Sequence, residues 1–206
     1  KSGRIAAEGT IVTLVEGNKG VAVEVNSETD FAAKNDAFMS FANSVAKSVM
    51  ASSPADLEAL ALSAMDNGQT VEAARQALIQ EIGENISVRR ISLVDAGSGV
   101  VAAYVHGNSR IAVLVELKGG DQDLVKDVAM HVAAVNPQVV SPDDMPADLV
   151  AKEKEIFTAQ AQDSGKPAEI IEKMIGGRIK KFLAENSLLE QSFVKDPEVT
   201  VGKLVA

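Results

Sequence analysis

The sequence predicts an α+β fold: two related units, each an antiparallel sheet packed with helices, and a helical hairpin inserted in the second. Three observations carry this. β-rich segments flank a Gly/Asn cluster, apolar residues at helical spacing follow directly, and the same order recurs at an offset of about 90 residues.

The first element is a hairpin. Residues 10–15 and 21–25 are β-rich and flank Glu16-Gly17-Asn18-Lys19-Gly20, which suits a tight turn. From Asp36 the spacing becomes helical, with Phe38, Phe41, Val45 and Val49 on one face until Pro54 intervenes. Ser53-Pro54-Ala55-Asp56 reads as a helix start, with a cap, a proline at the first position and an early acid. Thr70 caps a further helix carrying Val71, Ala74, Leu78 and Ile82, and Gly83 ends it.

The second half repeats the first. Gly107-Asn108-Ser109-Arg110-Ile111-Ala112-Val113-Leu114-Val115 aligns with Gly17-Asn18-Lys19-Gly20-Val21-Ala22-Val23-Glu24-Val25 at an offset of 90. The next helix aligns at 83, matching Val128 to Val45, Val132 to Val49 and Pro137 to Pro54. The offsets differ by seven residues, so the strand-to-helix connection is longer in the first repeat: 15 residues (26–40) against eight (116–123). After Pro142 two helices, 147–163 and 168–185, are broken at Ser164-Gly165-Lys166-Pro167, with Leu149, Ile156, Ile170, Met174 and Phe182 as the expected internal seam. Residues 191–195 and 199 onward read as extended. The expected domains are 1–94, 95–145 with 187–206, and 146–186 as the helical hairpin.

Composition narrows the function. There are no cysteines and two histidines, which disfavours disulfide, redox and metal chemistry. Twenty basic residues against 29 acidic ones, with 3% aromatic content, lack the basic face and stacking platforms of a nucleic-acid binder. No apolar run approaches the roughly 20 residues that cross a bilayer, and a cytoplasmic protein without a cofactor is expected. A start at Lys1 without methionine and an end in Val201-Gly202-Lys203-Leu204-Val205-Ala206 suggest a fragment.

The longer connection is the first place to look for function, since loops on a rigid scaffold carry it preferentially. It contains Thr29-Asp30-Phe31-Ala32-Ala33-Lys34-Asn35. An aromatic ring in this polar stretch has two readings, tucked under the following helix with Phe38 or displayed to a partner, and pattern alone tilts toward the first.

A resemblance reverses that tilt. Thr29-Asp30-Phe31-Ala32-Ala33-Lys34-Asn35 resembles the signature T-D-F-V-A-[KR]-N of the elongation factor Ts family, with Ala32 where valine is usual. Ile82-Gly83-Glu84-Asn85-Ile86-Ser87-Val88-Arg89-Arg90 is similar to the family's I-G-E-N-[IM]-x-[IV]-R-R. Tyr104-Val105-His106-Gly107, Ala129-Met130-His131-Val132-Ala133-Ala134, Ser164-Gly165-Lys166-Pro167 and Gln191-Ser192-Phe193-Val194-Lys195 resemble further family segments in order, so the likeness covers essentially the whole chain.

The resemblance implies a guanine-nucleotide exchange factor for the GTPase elongation factor Tu, not an enzyme. In the family the motif's aspartate and phenylalanine, here Asp30 and Phe31 beside Thr29, enter the GTPase near its Mg²⁺ and loosen GDP. Ile82 and Gly83 match a pair beside that loop, and His106 matches a histidine touching another part of Tu. Val194 and Lys195 match a further interface pair, with Lys195 where methionine is common. The family's N-terminal helical domain has no counterpart here; Lys1-Ser2-Gly3-Arg4 resembles the end of the linker behind it, and weaker binding than that of the complete factor is expected. Two other readings compete. An acid/base hydrolase would use Asp30, Glu24, Glu28 and Asp36, but 29 scattered acids make such pairs common. A dimerisation module would use the helical hairpin to form a homodimer. His131, among apolar residues, reads as structural.

Overall fold

The computed structural model describes residues 3–206; Lys1 and Ser2, part of the expected linker, lie outside them. The class is α+β, with small antiparallel sheets and helices. The chain divides into two compact units, one ending at Ala133 and the other spanning Ala134–Ala206.

In the first unit β1 (Glu8–Glu16) and β2 (Lys19–Ser27) form the expected hairpin, Glu16 pairing with Lys19 across Gly17-Asn18. Gly17 takes φ +59°, the left-handed value that a tight two-residue hairpin turn requires at its first position. Val21, Val23 and Val25 are fully buried, the period-two signature of a sheet with one face on a core. The chain then makes one helical turn, α1 (Asp30–Ala33), before α2 (Asp36–Ser52) lays Phe38, Phe41, Val45 and Val49 into the same core. Each such side chain contributes about 1.5–3 kcal/mol on burial. Four of them outweigh the roughly 1 kcal/mol of a helix cap, so packing selects the buried face of α2.

Ser53 does not start a helix. It closes α2 in the left-handed conformation, φ 45°, and α3 (Leu57–Leu62) begins behind Asp56, whose carboxylate accepts the Ala59 N–H at 2.8 Å. The acid that seemed an early helical residue is the cap itself. α4 (Val71–Ile82) starts behind Thr70 and ends at Gly83, as read from the sequence. A strand the sequence pattern did not reveal follows: β3 (Ser87–Asp95) pairs antiparallel with β2, giving the order β1-β2-β3. None of its residues is fully buried and no local turn links it to its partner, so neither alternation nor turn chemistry marks it.

The repeat is present as β4 (Val100–His106), β5 (Ile111–Leu117) and α5 (Gln122–Val135). The second hairpin lies against the first: the Ile11 N–H donates to the Ser109 carbonyl at 2.8 Å, and a Cβ on Gly20 would stand 2.6 Å from Val101 Cγ1. Gly20 leaves the room that lets the two hairpins approach. The connections are eight residues, 28–35, against four, 118–121, so their lengths differ by four and not by seven, because α2 begins three residues earlier than α5 in the aligned frame.

The second unit contains α6 (Ala147–Gln162), α7 (Ala168–Asn186), β6 (Ser192–Phe193), β7 (Asp196–Thr200) and α8 (Val201–Val205). α6 and α7 form the expected hairpin, but its seam differs. Leu149, Ile156 and Ile170 are exposed, while Val150, Phe157, Ala161, Ile171, Met174 and Phe182 are buried or half-buried. The sequence offers doublets, Leu149-Val150, Ile156-Phe157 and Ile170-Ile171, whose members stand about 100° apart around the axis. Only the partner helix decides which member turns inward. The end is not extended either: Thr200 Oγ1 accepts the Lys203 N–H at 3.2 Å and opens α8.

Candidate functional site

The Thr29-Asp30-Phe31 segment is not an open loop. Thr29 is extended, φ −123° and ψ 157°, and its Oγ1 accepts the Ala32 N–H at 3.3 Å, capping α1. Six residues on, the Asn35 side chain accepts the Ala37 and Phe38 N–H groups at 2.8 and 3.4 Å and caps α2. Two caps thus enclose one helical turn. Within that turn Ala32 and Ala33 are buried, whereas Phe31 is 81% exposed. The ring is displayed, and Phe38 alone of the two phenylalanines joins the core. Ala32 faces the body, so the family's valine at that position would be felt beneath α1.

The second motif meets the first. The Glu84 carboxylate accepts the Thr29 N–H at 2.9 Å and the Thr29 hydroxyl at 2.7 Å, while Glu28 accepts the Asn85 N–H at 2.7 Å. The Asn85 side chain in turn donates to the Arg4 carbonyl at 2.6 Å. Ile82 and Gly83 stand directly before this junction. Ile82 is half-buried against the core, and Gly83, at φ +86°, donates its N–H to the Ile79 carbonyl at 2.9 Å as the stop of α4. A helix stop in the left-handed region is a sufficient local reason for glycine here. Glu84 is not among the expected site residues and Glu28 enters only through the competing hydrolase reading, although both lie within or beside the quoted motifs; nothing in a linear pattern says that two carboxylates 56 positions apart cross over.

Asp30 pairs with Lys34 at 3.1 Å, one turn along. The hydrogen bond and charge of the Lys34 ammonium hold the Asp30 carboxyl below its ordinary 3.8, with a smaller contribution from Arg110. Arg110 faces Asp30, Lys34 and Met39 across a cleft of about 450 Å³ between α1 and the β4–β5 turn. His106 ends β4 at that turn, exposed, its ring 6.3 Å from Tyr104. The first unit therefore brings Thr29, Asp30, Phe31, Ile82 and Gly83 into one neighbourhood, with the turn that follows His106 across the cleft. Val194, 39% exposed, and Lys195 occupy the β6–β7 turn of the second unit. His131 is fully buried on α5.

Residues 28–206 match the family model described as elongation factor TS. The chain is 57% identical to elongation factor Ts of Saccharophagus degradans, over 99% of its own length and 69% of that protein's. The chain belongs to the elongation factor Ts family. Elongation factor Ts of Teredinibacter turnerae is 55% identical over all of this chain and 69% of that protein's length. The protein of that name from Cellvibrio japonicus is 58% identical over 98% of this chain and 68% of its own length. As an elongation factor Ts family member the chain is placed among translation elongation factors. Among the described residues no helix is long and apolar enough to cross a membrane.

Proposed function

We propose that this chain promotes GDP release from elongation factor Tu by presenting Asp30 and Phe31 to the GTPase near its Mg²⁺. The observation that carries the reading is the display of Phe31, an 81% exposed aromatic ring on a helical turn that Thr29 caps and that the Asn35 cap of α2 follows, within a motif that resembles the family's. Isolated exposed apolar residues are ordinary, but an aromatic set outward on a short turn lying between two helix N-caps is arranged for contact. Bound Mg²⁺ and phosphate-loop donors neutralise the nucleotide's phosphates, so displacing either weakens GDP binding. The chain makes and breaks no bond; the effect is a coupling free energy. By reciprocity, GDP weakens factor binding by the same ratio that the factor weakens GDP binding. Ile82 and Gly83 beside the turn, His106 beyond the cleft, and Val194 with Lys195 complete the proposed contact set, and the cytoplasm is the proposed location.

The test is release of a fluorescent GDP from preloaded Tu. Micromolar factor is expected to speed it, and unchanged release would sink the reading. A second reading, a homodimer through the helical hairpin, is favoured by one observation: Leu149, Ile156 and Ile170 are exposed on α6 and α7. Sedimentation of the free chain tests the homodimer, which a monomer overturns, and GDP release tests the exchange reading. We further propose that 1–94, 95–145 with 187–206, and 146–186 are the chain's domains.

A further inference from the structure

The turn that carries Phe31 has little of its own to hold it. α1 has four residues, far below the roughly 12–15 at which an isolated helix becomes even marginal in water. Its buried side chains are two alanines, which supply little apolar area. Its direction is therefore set by what grips its ends, and at the N-terminal end the grip is Glu84. That carboxylate accepts from both donors of Thr29, and the Thr29 hydroxyl oxygen that donates to Glu84 also accepts the Ala32 N–H. One oxygen thus links the carboxylate to the cap of α1. Glu28 answers in the opposite direction through the Asn85 N–H, and the Ser27 hydroxyl donates to the Thr29 carbonyl at 2.8 Å. Hydrogen bonds to an ionised acceptor are about twice as strong as neutral ones, and the two on Thr29 share a single carboxylate.

We propose that Glu84 is a positioning residue for nucleotide exchange: by clasping Thr29 it fixes the direction in which Asp30 and Phe31 leave the body, so that the factor meets its partner already ordered. This rests on the exchange reading of the Asp30-Phe31 turn. Without the clasp the turn samples other directions, and apparent affinity falls by the fraction of time it spends correctly oriented. The rate of GDP release once the partner is saturated is unaffected.

Two measurements test this on the whole chain. In amide hydrogen exchange of the free protein, Glu84→Ala is expected to cut protection at the Thr29, Ala32 and Ala33 amides, which donate to Glu84 and to Thr29, about tenfold, leaving the α2 amides unchanged. In GDP release, the half-saturating concentration of Glu84→Ala is expected to rise about tenfold with the saturated rate held within about twofold. Glu84→Gln, whose NH₂ cannot accept from Thr29, should fall between. In a Phe31→Ala background Glu84→Ala should cost less than it does in the wild-type chain, since part of its effect runs through that ring. Unchanged protection at the Thr29, Ala32 and Ala33 amides, or an equal loss in both backgrounds, overturns the proposal. If Glu84→Ala fails to fold, Glu84→Gln carries the same criteria. A wild-type chain that leaves GDP release unchanged would overturn the exchange reading and Glu84's part in exchange, while the protection pattern still reports whether Glu84 holds the turn.

Discussion

Phe31 and Phe38 stand seven positions apart and are opposite in environment, one 81% exposed and the other fully buried. Phe38→Ala is expected to cost about 3–5 kcal/mol of stability, the cost of emptying a packed aromatic site. Phe31→Ala is expected to stay within about 0.5 kcal/mol, as surface changes do. Chemical denaturation of the two variants checks both values, and GDP release per folded molecule should fall for Phe31→Ala. Loss of stability with unchanged exchange would mark Phe31 as a packing residue instead. Beside it, Lys34→Met should bring the Asp30 carboxyl back toward its ordinary 3.8, because the ammonium is the main cause of its depression; a carbon-detected titration reads this directly.

At the scale of elements, the Arg75 guanidinium ties α4 to the start of β3. It donates to both oxygens of Glu72 at 2.8 and 2.7 Å and to the Ile86 carbonyl at 2.7 Å, while Gln76 adds a bond to Glu72 at 2.8 Å. Arg75 is the leading cause that lowers the Glu72 carboxyl from 4.5 to about 2. A depressed carboxylate stabilises the fold fully above its unfolded value and loses that contribution as pH falls from 4.5 toward 2. The Glu72 side chain is 43% exposed, so solvent screening limits the contribution to about 1 kcal/mol or less. Denaturant midpoints of Glu72→Gln should therefore converge with wild type as pH drops through that window and lie below it at pH 6. Equal differences at pH 6 and pH 2.5 would contradict the assignment.

For the whole molecule, the proposed hairpin domain makes a direct prediction: deleting residues 160–174, the tip of the α6–α7 pair, should leave the thermal transition of the first unit in place. Loss of that transition would refute the domain boundary. The sequence by itself determined the first hairpin, the buried faces of α2 and α4, the repeat, the two-helix pair and the family motifs. All of these depend on periodicity, caps and turns within a few residues of one another. It also singled out Thr29, Asp30 and Phe31 as candidates, through motif and not through pattern. Tertiary structure alone decided what depends on distant partners. It added β3 at the edge of β2, chose Val150 and Phe157 over Leu149 and Ile156 for the seam, and turned Phe31 outward while Ala32 turned in. It also crossed Glu84 with Thr29. A linear pattern records which residues are apolar or charged, but a half-buried strand, a doublet on a helix and a carboxylate clasp become definite only when a second segment arrives to fill the space or accept the proton.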